Sequence, residues 1–108
     1  MLTIHSGYIS QEQIANEVER VKLLLGPEVV RVRYNTGEDM DGDPAIYFRI
    51  VLTDSASRRE TLVEVTQKIK NIFEDELRPY ENWGLHSYFN FRNQSEQAKR
   101  EGLDLNWT

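Results

Sequence analysis

The chain has 108 residues, enough for one domain with a single core but too few for two independent cores. It has no cysteine, which excludes disulfides, thiolate nucleophiles and thiolate-bound zinc, and which is typical of a reducing cytoplasm. Its 13 basic and 18 acidic residues give a net charge of −5, which opposes unspecific binding to nucleic acid. No stretch approaches the roughly 20 apolar residues that span a bilayer. We expect one soluble, cytoplasmic domain over residues 1–108, with no membrane partner.

The first predicted elements are a short strand at residues 2–6 and a helix that follows it. Ser10 and Gln13 have the spacing of a capping box, and apolar residues follow at positions 14, 18, 21 and 25. Gly26 and Pro27 form a stop signal, so the helix is predicted to end there. Its single apolar face implies that it packs on another layer.

Two strands and a second helix come next along the chain. "EVVRVRY" (28–34) and "AIYFRIVLT" (45–53) are rich in β-branched and aromatic residues, and the turn-rich "NTGEDMDGDP" (35–44) joins them as a hairpin loop. Ser57 and Glu60 predict a second capping box, followed by an apolar helical face that ends before Pro79.

The last elements are a strand within "LHSYFNFR" (85–92) and a short helix, "SEQAKRE" (95–101), before Gly102. The order β-α-β-β-α-β predicts an α+β sandwich, with an antiparallel sheet of three or four strands and two helices on one face. This is the ferredoxin-like arrangement. Residues 93–108 are expected to form a C-terminal helix and a tail.

Alternation along the strands divides their side chains between two faces. The inward set is predicted to be Val30, Val32, Tyr34, Ile46, Phe48, Ile50, Leu52, Leu85, Phe89 and Phe91. The outward set, which we name the arginine–tyrosine face, is Arg31, Arg33, Tyr47, Arg49, His86, Tyr88, Asn90 and Arg92. An uncovered sheet face is commonly polar, so a plain solvated surface is one interpretation.

Arginines beside tyrosines also suit planar contacts with carboxylates or phosphates, which favours a protein partner or an anionic small molecule. A sheet platform for RNA, with Tyr47 and Tyr88 stacking on bases, is an alternative. However, the strands lack the glycine-containing aromatic signature of that class, and the net charge argues against nucleic acid.

The tail "LDLNWT" alternates apolar and polar residues, with Leu103, Leu105 and Trp107 on one side. This pattern suits strand addition to a second copy, and packing of sheet on sheet is another route to a homodimer. We therefore predict a small non-catalytic binding protein that is homodimeric.

No sequence motif indicates an enzyme or a metal-binding protein. Asp39, Asp41 and Asp43 alternate like calcium ligands, but neither register supplies both the glycine and the closing glutamate of an EF-hand. Glycine, aspartate and asparagine are the residues that turns favour, which explains the composition of this loop, so no metal or cofactor is predicted. An enzyme that uses a carboxylate of the loop with Arg33 and His86 remains an alternative. Tyr80 and Trp83 are interpreted as packing residues rather than as the walls of a pocket.

Overall fold

The structure is a computed structural model that describes residues 10–100. Its elements in chain order are α1 (Gln11–Lys22), β1 (Val29–Glu38), β2 (Pro44–Leu52), α2 (Leu62–Leu77), α3 (Pro79–Trp83), β3 (His86–Asn93) and α4 (Gln94–Arg100). The predicted N-terminal strand and the tail with Leu103, Leu105 and Trp107 lie outside the described residues. The α+β class is confirmed. Within residues 10–100, no helix is long and apolar enough to cross a membrane.

The described sheet has three strands in the order β1-β2-β3, and it is mixed. β1 and β2 form the predicted antiparallel hairpin, whereas β3 pairs with β2 in parallel, so the prediction of a wholly antiparallel sheet is wrong. The reason is that α2 carries the chain back to the end of the sheet where β2 began. A ferredoxin-like sheet would hold another strand between these two, yet residues 45–52 pair directly with residues 86–93. The described strands therefore do not confirm the ferredoxin-like arrangement.

Helix α1 begins as predicted and ends earlier than predicted. The Ser10 hydroxyl accepts a hydrogen bond from the Gln13 backbone N–H at 3.1 Å. The helix ends at Lys22 rather than at the glycine–proline pair, because Leu23 closes it with a backbone bond to the residue three positions earlier. Leu25, which was predicted to continue the stripe, is partly buried against the core from the following turn.

Helix α2 begins at Leu62, so the predicted capping box of Ser57 and Glu60 is wrong. The Ser57 hydroxyl instead donates to the Thr53 carbonyl at 3.2 Å, within the turn that follows β2. Local hydrogen bonding of serine thus competes with capping in this segment. The end of the helix before Pro79 is as predicted.

One hydrophobic core joins α1 and α2 to the inner face of the sheet. Phe73 of α2 is fully buried, with its ring centroid 4.5 Å from that of Phe48 on β2 and 6.1 Å from that of Phe89 on β3. The buried members of the cluster are Ile14, Val18, Val21, Val32, Ile46, Phe48, Ile50, Leu52, Ala56, Val65, Ile69, Phe73, Leu77, Trp83 and Leu85.

Val30 was predicted to face inward, and this is wrong. The pairing of β1 with β2 shifts register between Val29 and Arg31, which leaves Val30 as the extra residue of a bulge, 45% exposed. Val29 packs against the core in its place. A bulge inserts one residue without a partner, so alternation resumes correctly with Val32 inside.

The short helix α4 covers part of the sheet face that was predicted to be open. Val51 points away from the core by alternation, yet it is only 3% exposed, and it lines a cavity with Gln97 and Ala98 of α4. The carboxylate of Asp54 anchors this helix by accepting bonds from the Ser95 backbone N–H at 3.0 Å and from its hydroxyl at 2.5 Å. These bonds lower the pKa of Asp54.

Candidate functional site on the outer face of the sheet

The register brings the predicted outward residues onto one face, where they form rows across the strands. Tyr47 pairs with Tyr88, and Arg49 stands between Arg33 and Asn90. The remaining rows are Ala45 with His86, and Val51 between Arg31 and Arg92. Because the side-chain period of a strand is two, both parallel and antiparallel neighbours preserve this grouping.

A stacked pair of tyrosines stands at the centre of the face. The rings of Tyr47 and Tyr88 lie 5.3 Å apart with an interplanar angle of 21°. The Tyr47 hydroxyl donates to the Glu38 carbonyl at 2.7 Å, and the Tyr88 hydroxyl donates to Asp39 Oδ2 at 2.8 Å. Both tyrosines are therefore held by residues 38–43, which we name the acidic loop.

The bond between Tyr88 and Asp39 changes the ionisation of both groups. The pKa of Asp39 is lowered, first by the Tyr88 hydroxyl and then by the backbone N–H of Asp43. The pKa of Tyr88 is raised because its hydroxyl donates to that carboxylate. The ionised carboxylate and the protonated phenol are thus the forms that this contact stabilises.

The carboxylates of Asp39, Asp41 and Asp43 offer oxygen atoms that lie within 4.8 Å of one another. Asp39 Oδ1 accepts the backbone N–H groups of Asp41 at 3.0 Å and Asp43 at 2.9 Å, while its other oxygen accepts from Tyr88. Hydrogen bonds from the backbone N–H groups of following residues to an aspartate side chain are typical of turns. They account for the clustering without a bound ion.

The row next to the tyrosines places two arginines opposite each other. Arg33 and Arg49 are direct partners on antiparallel strands, and like charges in this position are destabilising. Arg49 donates from Nη1 to Asn35 Oδ1, but its buried Nε has no hydrogen-bond partner within residues 10–100. The pKa of Arg49 is lowered, first by burial and then by the charge of Arg33.

The row of Arg31, Val51 and Arg92 lies beneath α4. Arg92 donates to Gln97 Oε1 at 3.3 Å, and Gln97 is only 5% exposed. Sequence reasoning did not identify Gln97, since a glutamine in a polar seven-residue helix carries no signal of burial. It also did not identify Asp54, whose role depends on a contact with Ser95 far along the chain.

His86 lies at one end of the face, away from the arginines. Its ring centroid is 5.2 Å from that of Tyr80. Tyr80 is 62% exposed and lines a shallow cavity with His86, so its interpretation as a packing residue is wrong, whereas Trp83 is buried in the core as predicted. Arg33 lies two rows and two strands from His86, so the backbone does not bring the proposed catalytic partners together.

A groove that sequence reasoning did not predict lies on the other side of the molecule. It has a volume of about 750 Å³ between α2 and the turn that follows α1, and its apolar members include Leu24, Val63 and Ile72. None of the predicted outward residues lines it. It therefore plays no part in the arginine–tyrosine face.

Comparison of the chain with protein families, curated proteins and solved structures gives no match.

Proposed function

We propose that this chain is a non-catalytic binding protein whose arginine–tyrosine face contacts an anionic partner. The observation that carries the proposal is the direct pairing of Arg33 with Arg49. An anion bound over this row would reduce the repulsion between the two guanidinium groups. Arg49 Nε is also buried without an acceptor among the described residues, which adds to the free-energy cost of this row in the unbound protein.

The surroundings of this row support a preformed site. On one side, the tyrosine pair is held by hydrogen bonds to Glu38 and Asp39 of the acidic loop. On the other side, α4 is held by Asp54. Groups that are already fixed lose little conformational freedom on binding, so the free energy of contact is retained as affinity.

The acidic loop favours a compact anion over a nucleic-acid strand. Tyr47 and Tyr88 stack on each other, and the Asp39 carboxylate touches the edge of that stack. A phosphate backbone that followed stacked bases across the tyrosines would pass close to this negative charge, which opposes RNA binding. Catalysis by a loop carboxylate, Arg33 and His86 is the weaker alternative, because the rows separate the last two.

Titration with a fluorescent polyglutamate peptide and with tripolyphosphate tests the anionic partner. Replacing Arg33 and Arg49 together by glutamine should weaken binding of either probe by about tenfold or more, the loss expected for two charge-assisted contacts. Arg58 and Arg59 are both exposed in the turn before α2, and their double replacement by glutamine changes the net charge equally.

This control variant should change the affinity by less than about threefold, as expected for exposed charges at a distance. Equal losses in the two variants would mean that only net charge matters, and the proposed site would be wrong.

Self-association is the second part of the proposal. The edge position of β3 in the described sheet supports it, because an edge strand offers backbone groups to an added strand. The tail residues Leu103, Leu105 and Trp107 have the alternation that such a strand needs. Light scattering should then give twice the chain mass, and a variant with these three residues replaced by serine should give the monomer mass. A monomer of the unaltered chain at every salt concentration would contradict this part.

A further inference from the structure

A small cavity lies between α4 and the hairpin of β1 and β2. Its volume is about 250 Å³, which is below the 300–1,000 Å³ typical of sites for drug-sized ligands. The residues that line it are Val30, Arg31, Val51, Gln94, Gln97 and Ala98. The space therefore suits a ligand of only a few heavy atoms.

Two of the lining side chains carry buried donors that have no acceptor. Arg31 Nη2 and Gln97 Nε2 are both shielded from solvent and have no hydrogen-bond partner within the described part of the chain. Gln97 as a whole is only 5% exposed. Buried donors without acceptors are rare in folded proteins and call for a specific explanation.

The orientation of the Gln97 amide follows from its neighbour. Arg92 donates to Gln97 Oε1 at 3.3 Å, and a guanidinium group has only donors to offer. The amide oxygen must therefore face Arg92, which leaves the amide nitrogen as the group without a partner. The polar groups of the lining are thus the Arg31 guanidinium and the Gln97 amide nitrogen, together with the amide of the exposed Gln94.

We propose that this cavity binds a carboxylate, which accepts hydrogen bonds from the Arg31 guanidinium and the Gln97 amide once these two side chains turn their unpaired donors towards it. A carboxylate has two oxygens that can accept from two donors at once, and Val30, Val51 and Ala98 suit a short hydrocarbon stem. A fully hydrated phosphate fits this apolar lining less well. The inference rests on the proposed function, since Arg31 belongs to the arginine–tyrosine face, and it names the ligand class at one end of that face.

The carboxylate can belong either to a free small acid or to an acidic residue of the protein itself. Asp104 follows α4 in the sequence by only a few positions. The chemistry of the cavity is the same in both cases, so the experiment includes one arm for each source.

The test is a nuclear magnetic resonance titration of the full chain with isobutyrate, with inorganic phosphate as a second probe. Isobutyrate should shift the side-chain amide signals of Gln97 and the Nε signal of Arg31 with saturation, and phosphate should not. Replacing Arg31 by glutamine should weaken binding by about tenfold or more, and Gln97→Met by about two- to tenfold. Gln13→Met, on the exposed first turn of α1, should leave the affinity unchanged.

The outcomes separate this inference from the proposed function. If isobutyrate binds only to the Asp104→Asn variant, or at least tenfold more tightly to it, the cavity is a carboxylate site that the chain fills itself. If neither form shows saturable shifts at Gln97, the inference is overturned, whatever polyglutamate does. If isobutyrate binding is lost in Arg33→Gln and kept in Gln97→Met, the cavity is overturned while the face remains a binding surface.

Discussion

Burial of Val51 beneath α4 can be tested by truncating three valines of the same sheet. Val51 is 3% exposed on the outer face, Val32 is 5% exposed on the core face, and Val30 is 45% exposed at the bulge. Replacing each by alanine removes the same two methyl groups. The substitutions therefore differ mainly in how much apolar surface they return to water.

The expected losses follow from the burial of each side chain. Two buried methyl groups are worth about 1.6 kcal/mol of transfer free energy, and a residual cavity under α4 raises the loss to roughly 2–2.5 kcal/mol for Val51→Ala. Val32→Ala should lose a similar amount. Val30→Ala should lose less than about 0.8 kcal/mol, because nearly half of its side chain is already in water.

Urea unfolding followed by circular dichroism measures these differences. For a protein of this size the denaturant slope is about 1–3 kcal/mol per M, so the midpoint for Val51→Ala should fall by roughly 0.7–2.5 M. If Val51→Ala behaved like Val30→Ala while Val32→Ala showed the full loss, α4 would not cover the outer face in solution. Both the row assignment beneath α4 and the cavity would then be wrong.

Three further outcomes are expected. Phe73→Ala should lower the free energy of unfolding by about 3–5 kcal/mol in a urea titration, and a loss below about 1 kcal/mol would contradict its central place in the core. Because the pKa of Asp54 is lowered by folding, its stabilising effect should be complete above its unfolded pKa of about 3.9 and lost as the pH falls further. The stability difference between the unaltered chain and Asp54→Asn should therefore shrink below that pH, and a constant difference in acid would refute the anchor. Tyr88→Phe should raise the pKa of Asp39 towards its ordinary value in a carboxyl-carbon NMR titration, whereas Tyr80→Phe should not.

Several features of this fold can be predicted from the sequence because they depend on local periodicity. The apolar stripe of α1 and the alternation along β1, β2 and β3 require only near neighbours. Alternation also predicts that Tyr47 and Tyr88, or Arg33 and Arg49, share a face, whatever the direction of the neighbouring strands. The whole predicted outward set therefore appears on one face.

Other features depend on competition between local signals. Ser57 and Glu60 have the spacing of a capping box, but the Ser57 hydroxyl instead donates to the Thr53 carbonyl in the turn after β2. Val30 has an ideal strand composition, yet the bulge excludes it from the core. Composition alone does not distinguish these outcomes, because each is decided by backbone geometry over several residues.

Alternation along the sequence predicts which residues share the outer face of the sheet, whereas the bulge at Val30 changes the inner set. Contacts between distant segments place β3 parallel beside β2, hold the tyrosine pair against the acidic loop, and set α4 over the row of Arg31, Val51 and Arg92. These contacts join residues that lie far apart along the chain, so local patterns do not reveal them. Asp54 and Ser95 lie 41 positions apart, and the contact that places α4 exists only once α2 has returned the chain to the sheet.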